Sequence, residues 1–143
     1  MLVLDVNVVL AVHRDDHPHH VALRPWFEDL LEGGAPFSVP MVVWGSFLRL
    51  TTSRRAFPVP TPLAEAFAFV EATRSHHRYI QLDPGSQHLA LLRRLCQEAN
   101  ATGDLVPDAA IAAIALEHGG VVASMDRDFA RFPSIEHIVP GRS

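Results

Sequence analysis

Residues 1–12 read "MLVLDVNVVLAV". Ten of the twelve are apolar, the exceptions being Asp5 and Asn7. "LVLD" has the unbroken aliphatic character of a strand covered on both faces, and "VNVVLAVH" reads as the start of the following helix. That assignment poses a problem. An ionised carboxylate at the tip of a buried strand is costly unless it is paired, metal-bound or protonated. The groups that resolve it have to come from further along the chain.

Outward from this stretch, strand and helix patterns alternate. "DDHPHH" is a polar break, and the segment to "EDLLEGG" predicts a helix closed by Gly33 and Gly34, with Pro25 kinking it or marking its first turn. "FSV" is a short strand. "PMVVWGSFLRLTT" is helical, with an apolar stripe of Val43, Trp44, Phe47, Leu48 and Leu50. The Pro-rich loop "SRRAFPVPTP" follows, then a helix capped by Thr61 with Pro62 at its first position. "RYIQLD" is a strand. Leu89, Leu92, Leu95, Cys96 and Ala99 recur with the helix period. "LVPDAAIAAIALEHGG" is an Ala-rich helix ending at glycine, "VVASMD" a buried strand and "IEHIV" a last one. This order predicts an α/β class, a three-layer α/β/α fold on a mainly parallel sheet of about five strands. Ligands in such sheets bind outside the carboxyl ends of the strands.

Composition narrows the function. The 143 residues and 48% hydrophobic content fit one compact domain over 1–143. No apolar run approaches the ~20 residues of a membrane span, and no basic region precedes "MLVL", so a soluble cytoplasmic protein is expected. The single cysteine, Cys96, excludes an intramolecular disulfide or a multi-cysteine zinc site and reads as a core residue. There is no lysine among the 12 basic residues, which removes Schiff-base chemistry and a phosphate-loop lysine. The net charge of −4 shows no global basic stripe for nucleic acid. A local patch remains open, because an acidic site would itself contribute several negative charges.

Asp5 and Asp126 end strands, so both belong at the carboxyl edge of the sheet. Asp108 follows Pro107 in the first turn of the Ala-rich helix, whose N-terminus can reach the same edge. Singly, each has a bland reading as a cap or a helix-dipole partner. Converging, they repel: unit charges 4 Å apart cost about 4 kcal/mol at an effective dielectric of 20. Protonation or a divalent cation relieves this, and oxygen-only ligands suit Mg²⁺ or Mn²⁺.

"LDVNVVL", "LVPDAAIAAIALEHG" and "SMDRDFARF", in this order and spacing, resemble the PIN domain, and more closely the VapC-type toxins of bacterial toxin–antitoxin pairs. "HPHH", "WGSFLRLTTSRRAFPVPTPLAEA" and "LCQEANATGDLVPD" strengthen a likeness that covers essentially the whole chain. The resemblance implies a PIN-like fold and a Mg²⁺- or Mn²⁺-dependent endoribonuclease, acting on structured RNA such as tRNA or rRNA. Asp5, Asp108 and Asp126 match the acidic metal ligands. Asn7 and Ser124 match neighbouring small polar positions, and Asp128 is placed to serve a second metal. It also implies a homodimer, a VapB-type antitoxin partner and no membrane association. One departure stands out. Many PIN domains carry a glutamate in the helix occupied here by "WGSFLR", and Ser46 stands in its place. Asp104 is a candidate replacement for the missing charge.

Arg49, Arg54 and Arg55 follow the apolar helix, and arginine forks suit phosphate oxygens, so they are candidates for contact with RNA or antitoxin. "HRDDHPHH" and "SHHRY" match no compact transition-metal spacing. Two rival readings remain: a PIN fold that has lost its glutamate and only binds protein or RNA, and a phosphotransfer domain. The second normally needs a lysine that this chain lacks.

Overall fold

The computed structural model describes residues 1–141. Four short strands, β1 (Leu2–Leu4), β2 (Phe37–Ser38), β3 (Val121–Ala123) and β4 (Glu136–Ile138), form one parallel sheet in the order β2-β1-β3-β4. The helices are α1 (Val6–His13), α2 (His20–Gly33), α3 (Met41–Thr51), α4 (Leu63–Arg74), α5 (His88–Ala99) and α6 (Leu105–His118). A 3₁₀ turn, Arg127–Arg131, follows β3. β1 lies between β2 and β3, so the chain moves one way for the first crossover and the other way for the second. Right-handed connections then put α1 and α2 on one face of the sheet and α6 on the other. α3 packs on α1, and α5 on α6, which completes the layers.

"RYIQLD", expected as a fifth strand, makes a single parallel bridge from Tyr79 to Phe37. The Phe37 N–H donates to the Arg78 carbonyl at 3.1 Å, and the Ile80 N–H donates to the Phe37 carbonyl at 2.8 Å. β2 is hemmed between Pro36 and Pro40, and neither has an N–H to extend a ladder. The edge therefore offers one residue for pairing rather than a strand's worth.

Val3, Leu4, Val122 and Ala123 are buried at the sheet centre. α6 sets Ala109, Ala112 and Ala113 at 0% exposure against the sheet, and such small side chains permit close approach. Gly120 permits the same at the entry to β3, where a Cβ would meet Val3 Cγ2 at 3.0 Å and Met1 Cε at 3.5 Å. On the other face, Val43, Trp44 and Phe47 of α3 are buried, and Leu48 and Leu50 are half-buried. The Trp44 indole N–H donates to the Tyr79 hydroxyl at 3.0 Å, which donates to the Val39 carbonyl at 2.9 Å. Phe69 joins this aromatic group, while Phe67 points outward.

Two local expectations change, at Thr61 and Leu89, and the one for Pro25 narrows to a position inside the helix. Thr61 does not cap α4; Pro62 stands at the N-cap and the Thr61 hydroxyl is buried among other partners. Pro25 lies inside α2, on its exposed side, and the helix runs on to a left-handed Gly34 at φ 77°. Leu89 keeps the helix period of α5 but is solvent-exposed, because it falls beside the buried Leu95–Ala99 stripe rather than within it.

Phe47 is fully buried between α1, α3 and α4, so Phe47→Ala should cost about 3–5 kcal/mol in urea unfolding. Leu89→Ala, at an exposed position, should stay within about 0.5 kcal/mol of the parent. Equal effects would contradict this packing.

Candidate active site

The parallel register pairs Leu4 with Ala123, and the Asp5 N–H donates to the Ala123 carbonyl at 3.0 Å. Asp5 and Ser124, which leave β1 and β3 together, are thereby side by side. The Ser124 hydroxyl donates to Asp5 Oδ2 at 2.7 Å and accepts from the Asp126 N–H at 3.0 Å. Asn7 reaches in from the first turn of α1. Its Nδ2 donates to Ser124 Oγ at 3.1 Å and to Asp5 Oδ2 at 3.3 Å, while its Oδ1 accepts from the Met125 N–H at 3.0 Å. Asn7 and Ser124 thus hold the two strand ends in one arrangement.

Asp5 also caps α1, its Oδ1 accepting from the Val6 N–H at 2.7 Å. Its carboxyl is buried, and its pKa is raised above the usual carboxylate value. Desolvation is the main cause and the Asp126 charge a lesser one, against the lowering effect of the Ser124 and Val6 hydrogen bonds.

Asp126 lies three residues beyond the end of β3, where it caps the 3₁₀ turn by accepting from the Asp128 N–H at 2.9 Å. Asp108 comes from the first turn of α6. Asp108, Asp126 and Asp128 each offer a carboxylate oxygen, and the three oxygens lie within 4.8 Å of one another. Among the described residues no other His, Cys, Asp and Glu side chains form such a group, which leaves the histidine-rich stretches outside any compact site. The N-terminus of α6 favours an anionic Asp108 by ~0.3–1 kcal/mol. Burial, and then the charges of Asp126, Asp5, Asp128 and Asp104, outweigh that dipole and push Asp108 up to about 7. Asp104 is the exposed N-cap residue of α6, without a side-chain capping bond, close enough to add to this field.

The structure therefore brings Asp108 and Asp126 together as the sequence suggested. It sets Asp5 behind them, hydrogen-bonded through Ser124, and adds Asp128 to the front group. His137 was missed. It pairs with Val122 across β3–β4, its Nε2 lies 3.1 Å from the Ser124 carbonyl, and its charge lowers the Asp5 pKa. The only sequence signal was a histidine in a strand beside "VVASMD". Ser46 is half-buried on α3. Arg49, Arg54 and Arg55 are exposed, the last two beyond the far end of α3.

An all-carboxylate donor set of this kind fits a hard divalent cation and no soft one. A family profile described as the PIN domain matches residues 2–135. The chain belongs to the PIN-domain family. Two Mycobacterium tuberculosis proteins, Ribonuclease VapC25 and Ribonuclease VapC31, are each 58% identical to this PIN protein over 140 residues, covering 98% of it and 99% of the relative. Among solved structures, VapBC2 from Rickettsia felis bound to a promoter DNA fragment aligns with TM-score 0.65 at 15% identity over 96% of each chain. FitAB bound to an IR36 DNA fragment aligns with TM-score 0.64 at 18% identity. These likenesses establish a shared PIN fold.

The Asp108 shift has a stability consequence. A carboxyl whose folded pKa is raised contributes stability below its unfolded value, and that contribution is lost as pH rises through about 7. Metal-free protein should therefore gain from Asp108→Asn at pH 8 by ~1 kcal/mol, after discounting for solvent screening, and gain little at pH 5. Mn²⁺ should raise the melting temperature of the parent at pH 8 and have much less effect at pH 5.5. A scan in which the substitution destabilises the metal-free protein at pH 8 would contradict the crowding.

Proposed function

We propose that this chain is an endoribonuclease toxin of the VapC type: one PIN domain over 1–143 that hydrolyses RNA phosphodiester bonds with Mg²⁺ or Mn²⁺ and is restrained by a VapB-type antitoxin. The observation that carries the proposal is the meeting of Asp108, Asp126 and Asp128 at the strand ends, with Asp5 joined to them through Ser124. The high identity to ribonucleases over nearly the full length of both chains supports it. The VapBC and FitAB structural relatives suggest the antitoxin. A homodimer and a cytoplasmic location are carried over from the family resemblance. No helix among the described residues is long and apolar enough to cross a membrane.

Asp5, Asp108 and Asp126 are the residues assigned to hold the cation, with Asp128 at the exposed rim. When bound, Mg²⁺ or Mn²⁺ supplies charge neutralisation and Lewis-acid activation of water at a phosphate. The chain's own residues do the positioning. Ser124 and Asn7 fix Asp5 Oδ2, and the caps on Val6 and Asp128 fix one oxygen each of Asp5 and Asp126. Asp126 keeps its second oxygen free of capping, and a carboxylate oxygen offers more than one lone pair to a ligand. Arg49, Arg54 and Arg55 are assigned to the RNA backbone.

The rival is a PIN fold that binds without cutting, and Ser46 at the usual glutamate position is what favours it. Asp128 weighs against it, because the front group already holds three carboxylates without that glutamate. Calorimetric titration with Mn²⁺ separates the two, since absence of saturable binding at millimolar metal favours the rival.

Asp5→Asn and Asp108→Asn should each lower metal-dependent RNA cleavage by at least ~100-fold and relieve growth arrest, with circular dichroism unchanged. Full cleavage by both variants removes the assigned roles. Mapping of cleaved ends in total RNA after brief induction identifies the target.

A further inference from the structure

Arg14, at the C-terminus of α1, is buried at 8% exposure although it carries a charge. A buried guanidinium is tolerated only when its donors are satisfied. Here Nε and Nη2 donate to the two carboxylate oxygens of Asp16, each at 2.8 Å. The remaining partners come from the loop between α3 and α4. Nη2 donates to the Val59 carbonyl at 2.7 Å, and Nη1 donates to the Thr61 hydroxyl at 3.0 Å. The guanidinium carbon also lies 4.0 Å from the centre of the Phe57 ring.

The same loop is closed at its base. The Thr61 N–H donates to the Thr51 carbonyl at 2.7 Å, and the two threonine hydroxyls lie 2.7 Å apart. At its tip Ser53 organises a tight turn. The Ala56 and Phe57 N–H groups donate to the Ser53 carbonyl at 3.2 and 3.0 Å, and the Arg55 N–H donates to its hydroxyl at 3.2 Å. Arg54 and Arg55 ride on that turn, exposed. Among the described residues only Arg14–Asp16 and Arg24–Glu28 form ion pairs, so neither tip arginine has a carboxylate partner. The cationic loop is thus fixed by a buried cation beneath it.

α1 starts at Asp5 and ends next to Arg14, and its eight residues span ~12 Å. Two free guanidinium forks on one turn suit phosphate oxygens of an RNA backbone.

We infer that Arg14 is a positioning residue that holds Arg54 and Arg55 as a preformed phosphate-binding arm for the RNA substrate, an inference that rests on the ribonuclease reading above. Ordering the arm beforehand reduces the entropy lost on binding.

The test uses the full chain without metal, so cleavage does not enter. Trypsin cuts after arginine, and in this lysine-free chain nicking at Arg54 and Arg55 reports the loop directly. Arg14→Gln should speed nicking there by ~10-fold, through easier local opening, and Asp16→Asn should do so more weakly without burying an uncharged amide at position 14. Binding of labelled tRNA in EDTA, followed by anisotropy, should weaken ~5-fold in Arg14→Gln and as much in Arg54→Ala/Arg55→Ala. The triple variant should be no weaker than the double, since Arg14 acts through the two arginines. Unchanged nicking in both Arg14→Gln and Asp16→Asn, or additive losses in the triple variant, overturns the inference. Unchanged tRNA affinity in Arg54→Ala/Arg55→Ala overturns it too, and an affinity loss for the antitoxin instead assigns the arm to that protein. Failure of the ribonuclease reading looks different: tRNA binding and its arginine dependence persist while the parent shows no cleavage with Mg²⁺ or Mn²⁺.

Discussion

The Ser124 hydroxyl donates to Asp5 at 2.7 Å and accepts from the Asp126 amide at 3.0 Å, and so joins the end of β1 to the turn after β3. Most of the acidic edge depends on this bond. Parallel pairing of Leu4 with Ala123 brings the two strand ends level, but pairing alone does not hold like charges together. Carboxylate oxygens within 4.8 Å repel by about 3 kcal/mol per pair at an effective dielectric of 20. A fully buried hydroxyl that donates its proton to Asp5 and accepts from the Asp126 N–H ties these two acids against such spreading at little cost. Asn7 adds a second tie by bonding Ser124, Asp5 and the Met125 amide at once.

Capping and metal binding looked like competing explanations for these acids, and the geometry makes them compatible. A carboxylate has two oxygens and about four acceptor sites. Asp5 gives Oδ1 to the start of α1, and Asp126 gives Oδ1 to the 3₁₀ turn. Each cap restrains a side chain through one oxygen, and Asp126 keeps its other oxygen free of capping. The local structure absorbs part of the repulsion, while burial first and the neighbouring acids second raise the pKa values of Asp5 and Asp108.

What the sequence revealed follows the range of the interactions involved. Alternating apolar runs located the strands of the sheet and all six helices, because hydrophobic period is a local property. The same logic placed Asp5 and Asp108, one at a strand tip and one in a first turn. It failed where a side chain answers to a distant partner. Thr61 has the right neighbours for a helix cap, yet Arg14, Thr51 and His13 claim its hydroxyl. "RYIQLD" has strand composition, but prolines around β2 leave it only one bridge. Asp128 was anticipated only through the family resemblance, because the 3₁₀ turn that sets it beside Asp126 is a bend no periodicity announces. Arg14 gave no signal at all within "HRDDHPHH", since its four acceptors include two from a loop more than forty residues away.

The absence of lysine bears on that last residue and on the charge balance. Arg14 satisfies a bidentate carboxylate, a carbonyl and a hydroxyl while lying flat on Phe57. A planar fork with five donors can do this; a lysine ammonium, with three donors on one atom, cannot reach such spread partners or stack on the ring. The net charge of −4 argued against a nucleic-acid partner only while charge was counted without position. Asp5, Asp104, Asp126 and Asp128 all act on the Asp108 carboxyl, so much of the negative charge is concentrated where a divalent cation would neutralise it. Arg54 and Arg55, exposed on the loop after α3, have no carboxylate partner among the described residues. A chain acidic in sum can therefore offer positive charge to a phosphate backbone and negative charge to a metal, provided folding gathers the two signs on different elements.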